Sequence, residues 1–264
     1  MNERLKNRYV VITGASGGIG EKMAVLVAKS GGHPILLARR SDRLAAAAEH
    51  ITKNYHVSCL YYQLDVSDLN AVQQTFDQIM SDIPQIDVLV NNAGFGIFNT
   101  VLDATLEEMK SMFEVNVFGL IACTKMVLPS MKKRNDGHII NIASQAGKLA
   151  TPKSSLYAAS KHAVLGFTNS LRMELLETNI HVTSVNPGPI KTDFFEIADQ
   201  SGNYVKNVER FMLNPDRVSE KIVGSMLSDR REINLPGWMN AGSSFYQLMP
   251  RLFEKVAGKA LSRK

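Results

Sequence analysis

The sequence predicts a single α/β domain in which a doubly wound, mainly parallel sheet of seven strands is covered by helices on both faces. Short apolar runs alternate with longer segments of helical period, and the runs are continuous, as strands buried on both faces require. Parallel strands need a crossover long enough to be a helix, so the alternation predicts right-handed βαβ units. The predicted strands are residues 9–13, 33–38, 57–64, 87–90, 138–143, 181–185 and 233–235.

The composition is that of an ordinary globular protein. Of the 264 residues, 45% are hydrophobic and 21% are charged, which excludes a disordered chain. The net charge is +5, but the basic residues are scattered, so nucleic-acid binding is not expected. The two cysteines, Cys59 and Cys123, are not spaced as metal ligands are, and the same is true of the histidines. We therefore expect no metal site.

The location expected from the sequence is the cytoplasm. Polar residues at the start of the chain run directly into the first apolar strand, without the apolar core and cleavage site of a signal peptide. No uninterrupted apolar run reaches the ~18 residues of a membrane-spanning helix. Two cysteines without a pairing pattern fit a reducing compartment.

Residues 1–264 are expected to form one domain, because no linker, repeat or shift in composition divides the chain. Residues 189–214 interrupt the alternation, and we expect them to form a substrate lid. Residues 237–264 predict an amphipathic tail in which Arg251, Lys255 and Lys259 repeat every four residues. Such a tail could lie on an anionic membrane, although packing against the body or a sister subunit is the favoured expectation.

The first predicted strand runs into a glycine-rich turn and then into a helix, the arrangement of a Rossmann-type dinucleotide site. The glycines allow a tight turn and close approach to a pyrophosphate, and the positive end of the helix favours the anion. The spacing is G-x-x-x-G-x-G rather than the commoner G-x-G-x-x-G, and a turn without a ligand is the alternative. The predicted cofactor-binding residues here are Gly14, Ser16, Gly17, Gly18, Ile19 and Gly20.

The end of the second strand predicts which cofactor binds. An NAD site would place an acid there to hold the ribose 2′-hydroxyl, but Arg39 and Arg40 follow the strand instead. Guanidinium groups match the geometry of a 2′-phosphate. We therefore expect NADP(H) to be preferred over NAD(H), the alternative being two exposed arginines that pair with Asp42.

Three further motifs follow the later strands in order. Asn-Asn-Ala-Gly at 91–94 follows the fourth strand, Ser144 follows the fifth, and Tyr-Ala-Ala-Ser-Lys at 157–161 opens the next helix. With the glycine turn, these motifs resemble the short-chain dehydrogenase/reductase family over nearly the whole chain. The resemblance implies an oxidoreductase that acts on CH–OH donors with a nicotinamide cofactor, and a homodimer or homotetramer built on helices near 106–133 and 155–176.

The resemblance also implies a role for individual residues. Tyr157 is the general acid/base and Lys161 its electrostatic partner and ribose ligand; Ser144 holds the carbonyl oxygen. Asn116 holds a water in a proton relay, and Arg39 is the main selector of the coenzyme. The remaining implied cofactor contacts are Asp65 and Val66 at the adenine, Asn92, Ala93 and Gly94 along the groove, and Pro187, Gly188, Ile190 and Thr192 near the carboxamide.

The chemistry of the residues agrees with these roles. Tyr157 and Lys161 are four residues apart on one helix and share a face. Bringing a tyrosine pKa from ~10 to ~7 requires about 4 kcal/mol, and one ammonium ~4 Å away at an effective dielectric of ~20 supplies about that much. The sequence therefore predicts interconversion of a carbonyl and a secondary alcohol, with Tyr157 transferring the proton.

Two other functions remain open. A dinucleotide-sensing regulator without catalysis would have no reason to keep all four catalytic residues, whereas a peripheral membrane reductase of lipid-like substrates is compatible with them.

The substrate is a small carbonyl or alcohol that the sequence does not name. The lid predicts an apolar or amphipathic compound, although Lys148, Lys153 and Lys191 leave an acidic one open. The apolar side chains around the entrance are Phe95, Ile97, Phe98, Phe194, Phe195, Ile197, Tyr204, Phe211 and Met212.

Overall fold

The computed structural model describes residues 1–199 and 202–261. In this part of the chain, seven strands form one sheet in the order β3-β2-β1-β4-β5-β6-β7, and every neighbouring pair is parallel. The strands are β1 (Tyr9–Thr13), β2 (His33–Ala38), β3 (Leu60–Gln63), β4 (Val88–Asn91), β5 (Gly137–Ile142), β6 (Ile180–Pro187) and β7 (Glu232–Leu235). The predicted fold class is therefore confirmed, and the sheet is wholly rather than mainly parallel.

Helices connect the strands and cover both faces of the sheet. The helices are α1 (Gly18–Lys29), α2 (Ser41–Tyr55), α3 (Leu69–Asp82), α4 (Leu106–Phe113), α5 (Leu120–Arg134), α6 (Ser155–Glu174), α7 (Phe194–Ala198), α8 (Asn203–Val208), α9 (Pro215–Ser225), α10 (Gly237–Leu248) and α11 (Pro250–Leu261). A π-helical turn, Glu114–Gly119, joins α4 to α5, and short 3₁₀ turns lie at Glu3–Leu5, Gln145–Gly147 and Glu209–Phe211.

The core has two halves, one on each face of the sheet, because successive side chains of a strand point to opposite faces. Val10 and Ile12 of β1 pack in the half that contains α1 and α9. Val11 packs in the other half with side chains of α3, α5 and α6. All three are fully buried. Continuous apolar runs are thus explained by burial on both faces.

The connections from β1 and β4 place the crevice for a ligand. These strands are neighbours, but the chain continues from β1 towards β2 on one side and from β4 towards β5 on the other. In open α/β sheets, ligands bind at such a switch point, outside the carboxyl ends of the strands. β3 begins at Leu60 rather than at residue 57, because its pairing with β2 starts only where Leu60 meets Ile35.

The predicted lid contains α7, α8 and the last 3₁₀ turn, while Gln200 and Ser201 lie outside the described residues. Its two ends are joined: the Leu213 N–H donates to the Pro189 carbonyl at 2.8 Å, and the Lys191 N–H donates to the Leu213 carbonyl at 3.1 Å. The predicted tail forms α10 and α11, and residues 262–264 lie outside the described part.

The continuous helical stretch Leu106–Arg134 is long and apolar enough, by length and composition, to cross a membrane. Core helices share these properties. Cys123, Val127 and Met131 of this stretch are buried against the sheet, in the half of the core that also holds α3. The contacts are those of a core helix.

Candidate active site

The glycine turn between β1 and α1 forms a cradle that larger residues would fill. Gly14 and Gly18 have φ angles of 65° and 57°, in the left-handed region. A Cβ atom on Gly14 would lie 2.9 Å from the Ala93 Cα, and one on Gly20 would lie 2.4 Å from the Gly14 carbonyl oxygen. α1 begins without a side-chain cap, so its first N–H groups are available to a phosphate. The cradle fits a dinucleotide pyrophosphate.

The turn is tied to the end of β4 by Thr13 and Asn92. The Thr13 hydroxyl oxygen accepts hydrogen bonds from the Asn92 and Ala93 N–H groups, both at 2.9 Å. The Asn92 amide donates to the carbonyl oxygens of Thr13 and Gly14, at 2.9 and 3.1 Å. The Asn92 side chain therefore fixes the floor of the predicted cofactor groove and has its amide protons turned towards the protein.

Arg39 and Arg40 occupy different positions at the end of β2. The Arg40 guanidinium lies over the glycine turn, with Nη2 3.1 Å from the Ser16 Oγ, and a Cβ on Gly17 would be 3.4 Å from the same nitrogen. The Arg39 side chain is 73% exposed and has Nη1 3.8 Å from an Asp65 carboxylate oxygen. Two guanidinium groups thus border the place where the adenosine ribose of a dinucleotide would lie.

The predicted adenine contacts lie at the end of β3. The Asp65 carboxylate accepts hydrogen bonds from the N–H and hydroxyl of Ser67, at 3.0 and 2.7 Å. Val66 is buried beneath the π-helical turn, where a Cβ on Gly119 would lie 2.5 Å from the Val66 carbonyl oxygen. Of the two residues, Asp65 lies beside Arg39 at the end of β2.

The residues predicted near the carboxamide follow β6. The Gly188 N–H donates to the Leu235 carbonyl at 2.6 Å, which holds the end of β6 against β7. Ile190 forms an isolated bridge with Leu213, and the Thr192 methyl lies 3.7 Å from a Cβ position on Gly18. The start of the lid thus passes directly over the glycine turn.

Tyr157, Lys161 and Ser144 meet at the carboxyl edge of β5. Tyr157 and Lys161 are one turn apart on α6 and are 8% and 5% exposed. The Lys161 Nζ donates to the Ile142 carbonyl at 2.8 Å and lies 5.8 Å from the centre of the Tyr157 ring. The Ser144 side chain follows β5 and is within hydrogen-bonding reach of Tyr157.

Burial dominates the protonation of this pair. It raises the pKa of Tyr157 to about 12, against the opposing effect of the Ser144 hydrogen bond, and lowers the pKa of Lys161 to about 8. The sequence predicts that Lys161 lowers the Tyr157 pKa towards about 7. In the protein without cofactor, the Tyr157 pKa is instead raised. The reason is that burial disfavours both charged forms while the ammonium is directed at the Ile142 carbonyl.

Asn116 lies in the π-helical turn, an element often found at functional sites. Its amide donates to the Phe95 carbonyl at 2.9 Å and to the Ser160 hydroxyl at 3.0 Å, and its amide oxygen accepts from the Phe95 N–H at 3.0 Å. The Ser160 hydroxyl in turn donates to the Tyr157 carbonyl at 2.8 Å. Sequence reasoning missed Ser160, whose one signal was its place inside the motif at 157–161. A Cβ on Gly94 would lie 2.9 Å from the Asn116 Oδ1.

Aromatic side chains of the predicted lid pack over Tyr157, around Phe98. The Phe98 ring centre lies 5.7 Å from that of Tyr157, 4.8 Å from that of Tyr204 and 6.4 Å from that of Phe194. The Phe98 N–H donates to the Ala198 carbonyl at 2.9 Å, which joins the loop after β4 to the lid. Burial raises the pKa of Tyr204 well above its usual value. The Tyr157 side chain is therefore covered mainly by aromatic rings.

The three lysines near the entrance differ in availability. The Lys148 ammonium is 2.5 Å from a Glu232 carboxylate oxygen and donates to the Asn234 amide oxygen at 3.0 Å. This ion pair is largely buried, so Lys148 is not free to meet an acidic substrate. Lys153 and Lys191 are exposed.

Comparison with known proteins agrees with this arrangement. A family model described as short chain dehydrogenase matches residues 8–201. An NADP-dependent 3-hydroxy acid dehydrogenase from Schizosaccharomyces pombe is 34% identical over 87% of this chain and 90% of its own length. The closed form of a serine dehydrogenase complexed with NADP⁺ is 32% identical, with a TM-score of 0.73 over 81% of this chain and 87% of that one. A short-chain dehydrogenase/reductase from Burkholderia phymatum in complex with NAD has the same fold, with a TM-score of 0.87 over 96% of both chains at 23% identity. The chain therefore belongs to the short-chain dehydrogenase/reductase family and is an oxidoreductase that acts on CH–OH substrates.

Proposed function

We propose that this protein reduces a carbonyl compound to a secondary alcohol, and catalyses the reverse reaction, with NADP(H). The observation that carries the proposal is the meeting of Tyr157, Ser144 and Lys161 at the carboxyl edge of the sheet, beside the glycine cradle. A bound NADPH supplies the hydride. The Tyr157 hydroxyl gives its proton to the substrate oxygen, and the Ser144 hydroxyl donates a hydrogen bond to that oxygen as negative charge develops on it.

Lys161 and Asn116 prepare Tyr157 for this proton transfer. The Lys161 ammonium keeps its proton below about pH 8, and its positive charge would stabilise the negative charge that develops on Tyr157 as the proton leaves. Phe95 and Ser160 engage both polar groups of the Asn116 side chain, so we assign that side chain to holding the loop after β4 against α6. The proton-relay water implied by the family resemblance would then be held around the π-helical turn.

The preference for NADP(H) over NAD(H) rests on the two arginines after β2. Arg40 lies over the turn at Ser16, and Arg39 reaches from the same edge towards Asp65, so a 2′-phosphate would meet positive charge from two sides. No acid stands at the end of β2 to hold a 2′-hydroxyl. The NADP-dependent relative and the NADP⁺ complex support this choice, while the NAD complex of the same fold indicates that the fold alone does not select the coenzyme.

We assign an apolar or amphipathic carbonyl compound as the substrate. The support is the aromatic cluster around Phe98, which covers Tyr157. Burying an apolar ligand against these rings is favourable, whereas burying a carboxylate there would cost free energy. The engagement of Lys148 with Glu232 removes one of the three lysines that could bind an acid. Hydroxy acids are the second candidate, because Lys153 and Lys191 are exposed and the relatives named above act on 3-hydroxy acids and serine.

The experiment that tests the proposal is turnover of Tyr157→Phe with NADPH and a panel of ketones and keto acids. Loss of the proton donor should lower kcat by ~10²-fold or more while cofactor affinity stays unchanged. Tyr61→Phe, which removes an exposed hydroxyl from β3, is the matched control and should keep full activity. A Tyr157→Phe variant with more than about a tenth of wild-type kcat would contradict the role of Tyr157. NADPH binding without turnover of any carbonyl by the wild type would instead favour a dinucleotide-sensing regulator.

We also propose a cytoplasmic homodimer or homotetramer. Large apolar side chains remain exposed on the helices implied as the subunit interface, among them Leu106, Phe118, Met173 and Leu176. Cys59 and Cys123 are free thiols, as suits a reducing compartment. Light scattering at micromolar concentration tests the oligomer, and a monomer would contradict it.

A further inference from the structure

We propose that the C-terminal helices, together with the adjoining edge of the lid, form a surface that docks on an anionic membrane. The docking surface consists of exposed apolar side chains on α10 and α11 and on the last turn of the lid. Leu248, Val256 and Trp238 are 82%, 73% and 59% exposed. The full set is Phe211, Trp238, Phe245, Leu248, Met249, Leu252 and Val256. In the single chain, the tail thus leaves these apolar side chains exposed, where the sequence favoured packing against the body or a sister subunit.

The docking surface is held in place and is continuous with the lid. The Phe211 ring centre lies 5.7 Å from that of Trp238, edge to face, which joins the last turn of the lid to α10. α11 is held against α10 by Phe253, whose ring centre lies 5.4 Å from that of Tyr246 and 6.1 Å from that of Phe245. A membrane bound at this surface would therefore lie next to the lid that covers Tyr157.

Charge decides between possible partners of the docking surface. Residues 237–264 contain five basic residues and one acid, Glu254, so they carry a net charge of +4 out of the +5 of the whole chain. Arg251 and Lys255 are exposed on α11, and the Arg210 guanidinium stacks on the Phe211 ring at 4.6 Å. A second copy would bring the same positive charge to the interface and be repelled, whereas anionic lipid would be attracted.

The combination of apolar and basic side chains favours a bilayer over other polyanions. An amphipathic helix lies in the membrane interface with its apolar face among the acyl chains and its basic residues among the headgroups. Tryptophan is enriched at that depth because its ring is amphipathic. Large aliphatic side chains such as Leu248 and Val256 would gain nothing from the phosphates of a nucleic acid. Docking does not depend on the proposed reaction, and it can be measured without substrate.

Trp238 allows a direct test, because it is the only tryptophan in the chain. Its fluorescence should shift to shorter wavelength when the full-length protein is mixed with phosphatidylcholine vesicles that contain phosphatidylglycerol. The protein should also sediment with these vesicles, and salt should release it. Vesicles of phosphatidylcholine alone should produce a much smaller effect. Equal binding to both, or to neither, would overturn the proposal.

Variants separate the apolar and electrostatic contributions. Leu248→Asp with Val256→Asp should abolish sedimentation with anionic vesicles, and the matched control Leu69→Asp, at an exposed site on α3, should not. The double variant Arg251→Gln, Lys255→Gln should bind anionic vesicles roughly 30-fold more weakly, because it loses two basic residues that each contribute about 1 kcal/mol. The control double variant Lys132→Gln, Lys133→Gln should bind as the wild type does. Light scattering on the Leu248 and Val256 variant completes the test. A change of oligomeric state instead of membrane binding would show that the surface joins two copies of the chain.

Discussion

Replacing Lys161 with methionine should stabilise the protein at neutral pH while abolishing its activity. Lys161 is 5% exposed, and burial lowers its pKa from 10.5 to about 8. Keeping the ammonium charged in the folded state at pH 7 therefore costs about 3 kcal/mol, at about 1.4 kcal/mol for each pKa unit. Methionine has a similar length and no charge, so the variant escapes this cost. It also leaves the Ile142 carbonyl without its donor, at a cost of ~1 kcal/mol. The expected net stabilisation at pH 7 is about 2 kcal/mol.

The pH dependence makes this prediction specific. The folded protein loses the Lys161 proton near pH 8, whereas the unfolded chain keeps it until about pH 10.5. Between these values the unfolded state binds more protons, so the free energy of unfolding of the wild type rises with pH. The variant lacks this rise. The stability difference should therefore shrink from about pH 7 upwards and fall close to zero at about pH 10, where the remaining charge cost of about 1 kcal/mol is balanced by the lost hydrogen bond.

Urea denaturation of both proteins from about pH 6 to about pH 10 measures this difference. Lys125→Met, which removes an exposed lysine from α5, is the matched control and should show no such pH dependence. A Lys161→Met variant that is less stable than the wild type at pH 7, or a difference that does not change with pH, would refute the reasoning. Either result would mean that the buried ammonium is compensated by contacts beyond the Ile142 carbonyl.

Two further predictions concern the cofactor site. Arg40→Ala should weaken NADPH binding by about tenfold or more with little effect on NADH binding, because a charge-assisted hydrogen bond contributes ~1.5 kcal/mol or more. Arg39→Ala should weaken NADPH binding less, because the Arg39 side chain is 73% exposed and lies beside Asp65. Titration of both cofactors by fluorescence measures this, and equal affinities of the wild type for NADPH and NADH would contradict the selectivity. Gly20→Ala should destabilise the fold by about 1–3 kcal/mol and impair cofactor binding, because the new Cβ would clash with the backbone oxygen of Gly14. The control is Gly166→Ala, where no atom lies near the position of the new Cβ, and it should leave the stability unchanged or raise it. Urea denaturation measures both.

The sheet could be predicted because its strands are buried on both faces. Residues 9–13 and 33–38 match β1 and β2 in full, and both of these strands have a neighbour on each side and a continuous apolar run. The prediction was less accurate for β3, the strand at one edge, which starts at Leu60 and alternates between half-buried and exposed residues. An edge strand has one neighbour, so its first residues can leave the sheet without exposing a second ladder of hydrogen bonds.

Side-chain directions in the site could not be predicted from sequence spacing. Arg39 and Arg40 are consecutive, and neighbouring residues at a strand end point in opposite directions, so the sequence alone could not show that Arg40 is the one over the glycine turn. The π-helical turn around Asn116 also has no simple sequence signal, since one extra residue in a helix changes its period only locally. The Phe98 cluster depends on contacts between segments about a hundred residues apart in the chain.

The two ends of the predicted lid are hydrogen-bonded to each other, so the segment between them can be replaced as a unit. Leu213 pairs with residues 189–191 through two backbone hydrogen bonds, so the chain leaves and returns to the scaffold at almost the same point. Between these fixed ends, a longer segment adds only about 0.6 kcal/mol of loop-closure entropy for each doubling of length, so its main effect is on the contacts that its side chains make with Phe98 and Tyr157. The sheet would be unaffected by such changes, whereas the surroundings of Tyr157, whose ring lies 5.9 Å from that of Phe194, would change. Grafting the corresponding segment from a relative at Pro189 and Leu213 is therefore a route to altering substrate range while Ser144, Tyr157 and Lys161 stay in place on the scaffold.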